Sequence, residues 1–236
     1  MHQRLQTSPW HRARSGGVVT RTGRLDAAVC RMFLRRYKTV DRLAPTLLSE
    51  GMNASVLLSL VPHTPLWATA AARDVRRLQR ALGDGCRGVH HIGSTSVPGI
   101  AASPIVDLLA EVHDIAALQA SELRLSAHGF GLQAAATVHR RLYHVDDIMT
   151  RQRRVELHCY ESGHPEAEQL LALYAYFRAH PEVARAYEDI KREGRIRYGH
   201  DVRSYLEAKR TWIEGVAHKA LAFWRGGKDV PVVELP

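Results

Sequence analysis

The pattern of apolar and polar residues predicts a chain of mixed strands and helices. Short apolar runs bounded by glycine or proline predict strands at about 87–92, 105–112, 130–138, 141–148 and 153–160. Apolar residues at helical spacing predict helices at about 66–82 and 115–127, the second with Asp114 as its N-cap. Helical spacing dominates beyond the last strand, where Pro181 marks one helix start and Asp201 caps the final helix. The predicted fold class is therefore α+β with a helical C-terminal part.

The most informative stretch of the chain covers residues 90–112. Gly93 follows a short apolar strand, and three hydroxyl residues follow it in a row, namely Ser94, Thr95 and Ser96. Glycine allows close backbone approach, so such a turn can aim N–H groups and hydroxyls at an anion. Asp107 interrupts the next apolar strand. A carboxylate inside a buried strand is costly unless a cation or hydrogen-bond donors meet it, so the stretch predicts a polar site.

The letters HIGSTSVPGIAASPIVDL in this stretch resemble the signature of the GrpB family, whose usual form is close to HIGSTSVPGLAAKPIIDI. That family is assigned to the polymerase-beta-like nucleotidyltransferase superfamily. The resemblance extends over most of the chain beyond residue 55. It implies a nucleotidyltransferase-like mixed sheet with flanking helices. It also implies that the Gly93–Ser94 turn, with Thr95 and Ser96, holds the phosphates of a nucleoside triphosphate, and that Asp107 holds magnesium.

The second metal carboxylate that the superfamily carries two residues further along this strand is absent, because Leu109 stands there. Glu111 points to the same side but lies about 13 Å along the strand from Asp107. One magnesium ion with oxygen ligands at about 2.1 Å cannot bridge that gap easily. A second departure is Ser103, where the family usually has lysine, and the loss of that cation weakens a phosphate site.

A later strand offers a replacement carboxylate. Glu156 and His158 share one face of the strand by alternation. By resemblance Glu156 would be a further metal ligand and His158 a group for substrate binding or proton transfer. The alternatives are a solvent-facing glutamate and a hydrogen-bonded structural histidine. The resemblance further implies nucleotide contacts from a set of basic and aromatic residues: Arg141, Arg178, Tyr205 and Lys209.

Simpler interpretations of that set stay open. Arg141 can be an ordinary exposed strand arginine, and Tyr205 can be an aromatic ring packed under the aliphatic part of Lys209, four residues later on one helix face. Four further histidines lie near the same elements and could bind zinc if they converged, which would indicate a metal hydrolase: His90, His91, His139 and His144. Their spacings match no compact zinc motif.

Two functions therefore remain as hypotheses. The first is a magnesium-dependent enzyme that transfers a nucleotidyl group from a nucleoside triphosphate. The second is a module that binds a nucleotide or phosphorylated metabolite without efficient transfer. GrpB-like domains also occur joined to dephospho-coenzyme A kinase, so the resemblance hints at coenzyme A metabolism. The chain has no G-x-x-x-x-G-K-[ST] loop and cannot itself be that kinase.

Composition and charge restrict the partners. The 236 residues are 45% hydrophobic, which is enough for a sizeable core. The chain has no window of about 18 apolar residues, so a membrane span is not expected. Three widely spaced cysteines fit a reducing compartment, and a cytoplasmic location is expected.

The net charge of +9 is concentrated at the start of the chain, since residues 1–51 carry ten basic against three acidic residues. Nucleic acid is therefore an unlikely partner except through this basic extension. We expect the extension at residues 1–51, the GrpB-like domain at 52–225 and a tail at 226–236. Met52 is a candidate native start.

Overall fold

The computed structural model describes residues 59–137, 139–199 and 201–226, and for residues 134–137 only the backbone. All of the described residues belong to one compact unit. The expected basic extension, the Met52 start and most of the expected tail lie outside the described residues.

The described segments contain the strands and helices that the pattern predicts. The strands are β1 (Cys86–Ile92), β2 (Val106–Val112), β3 (Gly131–Thr137), β4 (Arg140–Asp146) and β5 (Arg153–Glu161). The helices are α1 (Leu66–Leu82), α2 (Leu118–Ala127), α3 (Pro165–Ala179), α4 (Pro181–Tyr198) and α5 (Val202–Gly226). No helix in these segments is long and apolar enough to cross a membrane.

One predicted boundary is wrong. Helix α2 begins at Leu118 and not at residue 115, and its N-cap is Ala117. Asp114 instead accepts a hydrogen bond from the Ala116 N–H at 2.7 Å. Its carboxylate therefore closes the turn that precedes the helix, a role that short polar side chains commonly take. The other predicted cap is confirmed, because Asp201 accepts a hydrogen bond from the Ser204 N–H at 3.1 Å at the start of α5.

The strands form one mixed sheet in the order β1-β2-β5-β4-β3. Strands β2 and β5 are parallel, whereas the other neighbours are antiparallel. Placing β5 beside β2 brings Asp107 opposite Glu156. The pairing of these two strands is what assembles the candidate site.

Each face of the sheet is covered by different helices. One face carries a large apolar core in which Leu108 and Leu157 pack with Leu78 of α1 and Leu125 of α2. On the opposite face, Leu109 and its neighbours pack against Ala167 of α3. Because side chains alternate along a strand, Asp107, Glu156 and His158 also lie on this second face. Helices α3, α4 and α5 stack through aromatic rings, with Tyr187 lying 5.0 Å from Phe177 and 5.7 Å from Trp212.

Candidate functional site

The glycine turn after β1 packs directly against Asp107. Gly93 has φ +74°, a conformation that L residues with side chains rarely adopt. A Cβ at Gly93 would also lie 2.7 Å from the Cγ atom of Asp107. The position therefore requires glycine twice over, for its dihedral angle and for the carboxylate that fills the space beside it.

The three hydroxyls of the turn have different environments. Thr95 is buried, and its Oγ1 donates to the Ile105 carbonyl at 3.2 Å and contacts His91 Nε2 at 3.0 Å. Burial, followed by the charge of Arg178, lowers the pKa of His91 to about 4, so its ring is neutral at pH 7. Thr95 therefore holds the loop in place and does not face a ligand.

Ser96 joins the turn to the helical part of the chain. Its Oγ donates to the Gly93 carbonyl at 2.7 Å and accepts from Arg178 Nη1 of α3 at 3.2 Å. Ser94 is half-buried, and its hydroxyl makes no hydrogen bond with any described residue. Of the three predicted phosphate-binding hydroxyls, Ser94 is thus the one whose donor is available to a ligand.

Three potential metal ligands converge beside this turn. One ligand atom from each of Asp107, Glu156 and His158 can be chosen so that all lie within 4.8 Å of one another. Among the residues with described side chains, this is the only group of three or more histidine, cysteine, aspartate or glutamate residues with such geometry. The parallel register explains it, because Asp107 pairs with Glu156 while Leu109 pairs with His158.

Burial is the main influence on the pKa values of the two carboxylates in this group. Burial, and then the neighbouring Glu156 carboxylate, raises the pKa of Asp107 to about 8, although Lys209 and Lys191 oppose the shift. Burial also raises the pKa of Glu156, against the effect of Arg153. Two adjacent carboxylates cannot both ionise cheaply in such a site. They would both ionise readily if a cation lay between them.

His158 adds a neutral nitrogen donor to the two carboxylates. Burial, followed by the charge of Arg140, lowers the pKa of its imidazole to about 4. Its Nδ1 atom is buried and has no hydrogen-bond partner in the described structure. A neutral imidazole with an unpartnered nitrogen retains the chemistry of a metal ligand.

Cationic side chains from the helices lie near this group. Lys209 of α5 is close enough to Asp107 and Glu156 for its charge to oppose the rise in the pKa of both. Its Nζ lies 6.0 Å from the ring centre of Tyr205, which is buried. Arg178 donates to Ser96 of the turn, so Lys209 and Arg178 both lie near the predicted site.

Lys191 of α4 was not predicted as a site residue. It is 2% exposed, and its Nζ donates to the Ala101 carbonyl at 2.5 Å. Burial, and then Lys209, lowers the pKa of Lys191 to about 7, while Asp107 opposes the shift. Glu188, three residues earlier on the same helix, accepts a hydrogen bond from the Ala101 N–H at 3.1 Å. The contact between Lys191 and the Ala101 carbonyl joins distant parts of the chain, so no local sequence pattern predicts it.

The predicted role of Arg141 has to be corrected. Arg141 pairs across the sheet with Cys159, which belongs to the core on the opposite face from the site. Its Nη1 donates to Glu122 Oε1 at 3.4 Å. The arginine that does reach the carboxylates is Arg153, whose Nη1 donates to Glu156 Oε1 at 3.3 Å.

The histidines considered for zinc do not converge. Three of them pair separately with carboxylates: His90 with Glu111 at 3.2 Å, His139 with Glu161 at 3.3 Å, and His144 with Asp146 at 3.6 Å. His91 contacts Thr95, as described above. The zinc-hydrolase alternative therefore lacks its ligand set in the described structure. Glu111, engaged with His90, also stays apart from Asp107, as its spacing along the strand predicted.

Comparison with known proteins identifies similar chains. A family model described as GrpB protein matches residues 57–219. The chain is 30% identical over 172 residues to the UPF0157 protein YqkA of Bacillus subtilis, covering 73% of this chain and 49% of that protein. It is 27% identical over 197 residues to a dephospho-CoA kinase of Mycolicibacterium paratuberculosis, covering 73% of this chain and 48% of that protein. The chain thus spans about half the length of both relatives.

A solved structure has the same fold. The crystal structure of the conserved protein GrpB from Enterococcus faecalis matches with a TM-score of 0.65 and 25% sequence identity, covering 71% of this chain and 99% of that chain. The predicted α+β fold, a mixed sheet with flanking helices and a helical C-terminal part, is confirmed.

Proposed function

Since this chain belongs to the GrpB family, we propose that it binds a nucleoside triphosphate with a divalent cation and transfers the nucleotidyl group to an acceptor. The observation that carries the proposal is the convergence of Asp107, Glu156 and His158 within 4.8 Å. The group lies beside the Gly93 turn, which is suited to phosphate. An anion site next to a cation site is the arrangement that binding a metal–nucleotide complex requires.

The donor set fits a divalent cation. Two carboxylates suit Mg²⁺, and the added imidazole extends the choice to Mn²⁺ and similar ions. Asp107 and Glu156 would hold the cation, with His158 as a further ligand. Burial and the neighbouring Glu156 carboxylate raise the pKa of Asp107, and the charge of the cation would offset both effects. When bound, the cation supplies positive charge that stabilises the transferring phosphoryl group.

The remaining groups act on the phosphates and on the acceptor. The turn amides and the Ser94 hydroxyl bind phosphate oxygens, and Arg178 and Lys209 offset their negative charge. The acceptor hydroxyl oxygen forms a bond to the α-phosphorus while the bond from that phosphorus to the bridging oxygen breaks. Pyrophosphate leaves with the electron pair of that bond. The acceptor proton passes to a water molecule.

A second function is favoured by Leu109. This residue is fully buried, stands where the superfamily carries another metal carboxylate, and packs with Ile92, Tyr160 and Ala167. One fewer carboxylate is compatible with binding that is not followed by efficient transfer. In that case the chain would be a non-catalytic module for a nucleotide or phosphorylated metabolite. The similarity to a dephospho-CoA kinase suggests metabolites related to coenzyme A as ligands.

Calorimetric titration of the full chain tests the main proposal. ATP, GTP, CTP and UTP are titrated without metal, with Mg²⁺ and with Mn²⁺. We expect binding of a triphosphate that requires metal and falls about 100-fold in Asp107→Asn, equivalent to roughly 3 kcal/mol. Glu111→Gln is the matched control, because Glu111 lies on the same strand but bonds to His90. Equal losses in both variants, or binding indifferent to metal, would contradict the proposed metal site.

A pyrophosphate-release assay separates the two functions. The triphosphate that binds is incubated with metal and a panel of hydroxyl-bearing and phosphorylated acceptors. Acceptor-dependent pyrophosphate that disappears in Asp107→Asn supports transfer. Metal-dependent binding without pyrophosphate supports the binding module. Binding of dephospho-coenzyme A, with no triphosphate bound, would favour the second function and overturn the first.

A further inference from the structure

Arg140 lies on the site face of the sheet, beyond the carboxylate pair. It pairs across β4 and β5 with Tyr160, two residues along the strand from His158. Its residue exposure is 3%, so the guanidinium is almost entirely enclosed. The group is charged at any physiological pH, because arginine does not deprotonate in proteins. A cation is therefore fixed close to the proposed transfer site.

One end of this guanidinium is held by two neighbours. Nη1 donates to the Tyr160 hydroxyl at 3.2 Å, and that hydroxyl donates to Glu166 Oε2 at 3.2 Å. The same Glu166 oxygen lies 3.7 Å from Arg140 Nη1. The ring of Tyr160 lies 5.8 Å from the guanidinium carbon. These contacts set the position of the group and supply a partial counter-charge.

The opposite edge of the guanidinium is different. Nε and Nη2 of Arg140 are buried and have no hydrogen-bond acceptor in the described structure. These two nitrogens form one planar edge, which matches two oxygens of a carboxylate or phosphate. Buried donors without an acceptor are uncommon because each loses its bonds to water.

Arg153 provides a comparison on the same sheet face. It is also buried, at 7% exposure, but its Nε and Nη1 atoms are both engaged. Its Nε donates to Asp146 Oδ1 at 2.9 Å, and its Nη1 donates to Gln133 and Glu156. Arg153 therefore has the contacts of a structural arginine. Arg140 has them on one edge only, and this indicates a ligand for the other.

We propose that the Nε–Nη2 edge of Arg140 binds a carboxylate or phosphate group of the acceptor substrate. The acceptor would then be an anionic metabolite, which deepens the proposed function and rests on it. Phosphates of the nucleotide would lie at the Gly93 turn, and the acceptor anion would lie at the other end of the site. Glu166, whose side chain is 27% exposed, lies 3.7 Å from Arg140 Nη1, and its negative charge opposes the binding of an anion to the same guanidinium.

The test follows the side-chain Nε–H signal of Arg140 by ¹H–¹⁵N NMR on the full chain. Arg140→Lys identifies the signal by its loss. Inorganic phosphate and succinate are the probes, and sodium chloride at matched ionic strength is the control. We expect the Nε–H signal to move in a saturable way with phosphate, with succinate or with both. A response to one probe alone identifies which anion the acceptor carries.

Calorimetry with the same probes measures how much Arg140 contributes. Arg140→Lys keeps the charge but removes the planar edge, so binding of the responding anion should fall at least about 10-fold. Arg141→Lys is the matched control, since Arg141 lies on the opposite face beside Glu122, and it should bind the anion as the wild type does. Glu166→Gln removes the opposing charge and should strengthen binding several-fold. This variant tests the site even if Arg140→Lys fails to fold.

Two results would overturn the inference. One is an Nε–H signal that no probe moves, and the other is anion binding that is unchanged in Arg140→Lys and in Glu166→Gln. Failure of the proposed function is recognised separately, from triphosphate titrations of the wild-type chain. If the wild-type chain binds no triphosphate but the anion still moves the Arg140 Nε–H signal, the anion site stands and the proposed nucleotide site fails. The reverse result would keep the nucleotide site and remove Arg140 from acceptor binding.

Discussion

The two faces of the same sheet show opposite chemistry in neighbouring residues. On β5, Leu157 and Cys159 are fully buried and pack against α1 and α2 in the apolar core. Glu156 and His158 alternate with them and point to the other face, where they meet Asp107. The apolar face has the composition that stabilises a fold, whereas the polar face holds ionisable groups whose burial opposes folding. The difference supports the proposal that the second face binds a ligand.

Leu157→Ala, on the apolar face, should have the largest effect on stability. Leu157 is 0% exposed within the apolar core. Its truncation leaves a cavity and should lower the free energy of unfolding by about 3 kcal/mol. Denaturant unfolding measures the loss. Metal binding by the folded fraction should be unchanged, because Leu157 points away from the carboxylates.

His158→Leu is the partner variant on the adjacent position. We expect it to lower the free energy of unfolding far less than Leu157→Ala does. We also expect it to weaken metal binding, because the imidazole ligand is removed. The assignment of roles to the two faces would be wrong if fully folded Leu157→Ala failed to bind metal. It would also be wrong if His158→Leu lowered the free energy of unfolding more than Leu157→Ala does.

Gly93→Ala should affect stability and binding together. Alanine at φ +74° is strained, and its Cβ would enter the space of the Asp107 carboxylate. We expect a loss of about 2 kcal/mol in unfolding free energy and a displaced Asp107. Denaturant unfolding and triphosphate titration measure the two effects. Gly99→Ala is the control, because Gly99 also has positive φ, at +81°, but no atom lies within 4 Å of its added Cβ. It should lose stability and keep binding.

Asp107→Asn should stabilise the metal-free protein, and the gain should depend on pH. The pKa of Asp107 is about 8 in the folded chain, against an ordinary value of 3.8. The folded state therefore holds this proton more tightly than the unfolded state. Stability from that proton is present near pH 4 and is lost as the pH rises towards 8.

Asparagine avoids this loss, so the variant should exceed the wild type by about 2 kcal/mol at pH 8 and by much less at pH 5. Thermal and denaturant unfolding with a chelator present measure the difference. A gain of equal size at both pH values would show that the ionisation of Asp107 is not its source.

Ser96→Ala should produce the smallest of these effects. Its hydroxyl bonds to the Gly93 carbonyl and to Arg178. Losing these contacts should cost about 1 kcal/mol and weaken triphosphate binding a few-fold, because Arg178 is no longer held at the turn. Ser94→Ala is the contrasting variant, since it should weaken binding without lowering stability. Identical behaviour of the two serines would contradict their separate roles.

Much of the fold could be predicted from local patterns. The apolar run 105–112 and the helix at Leu66–Leu82 are as the sequence indicates, because periodicity and flanking glycine or proline act within a few residues. The start of α2 was misplaced because Asp114 caps a turn instead of the helix. The distinction depends on backbone geometry that a capping residue alone does not specify.

The site was predictable only in part. Asp107, Glu156 and His158 were named from the chain, and the structure brings them together. Arg141 was predicted as a site residue, but its neighbour Arg140 is the one on the same sheet face as the carboxylates. A shift of one residue along a strand moves the side chain to the other face. Lys191 acquires its place through the loop carbonyl at Ala101, a contact between distant parts of the chain.

The sequence by itself determined the kinds of elements, the glycine turn and the family, since each is encoded by neighbouring residues. Tertiary structure decided which side chains meet. The parallel register of β2 and β5 places Asp107 opposite Glu156, and the packing of α4 and α5 adds Lys191 and Lys209. These pairings join segments far apart in the chain, so no local pattern contains them, and the site exists only once the sheet and helices have assembled.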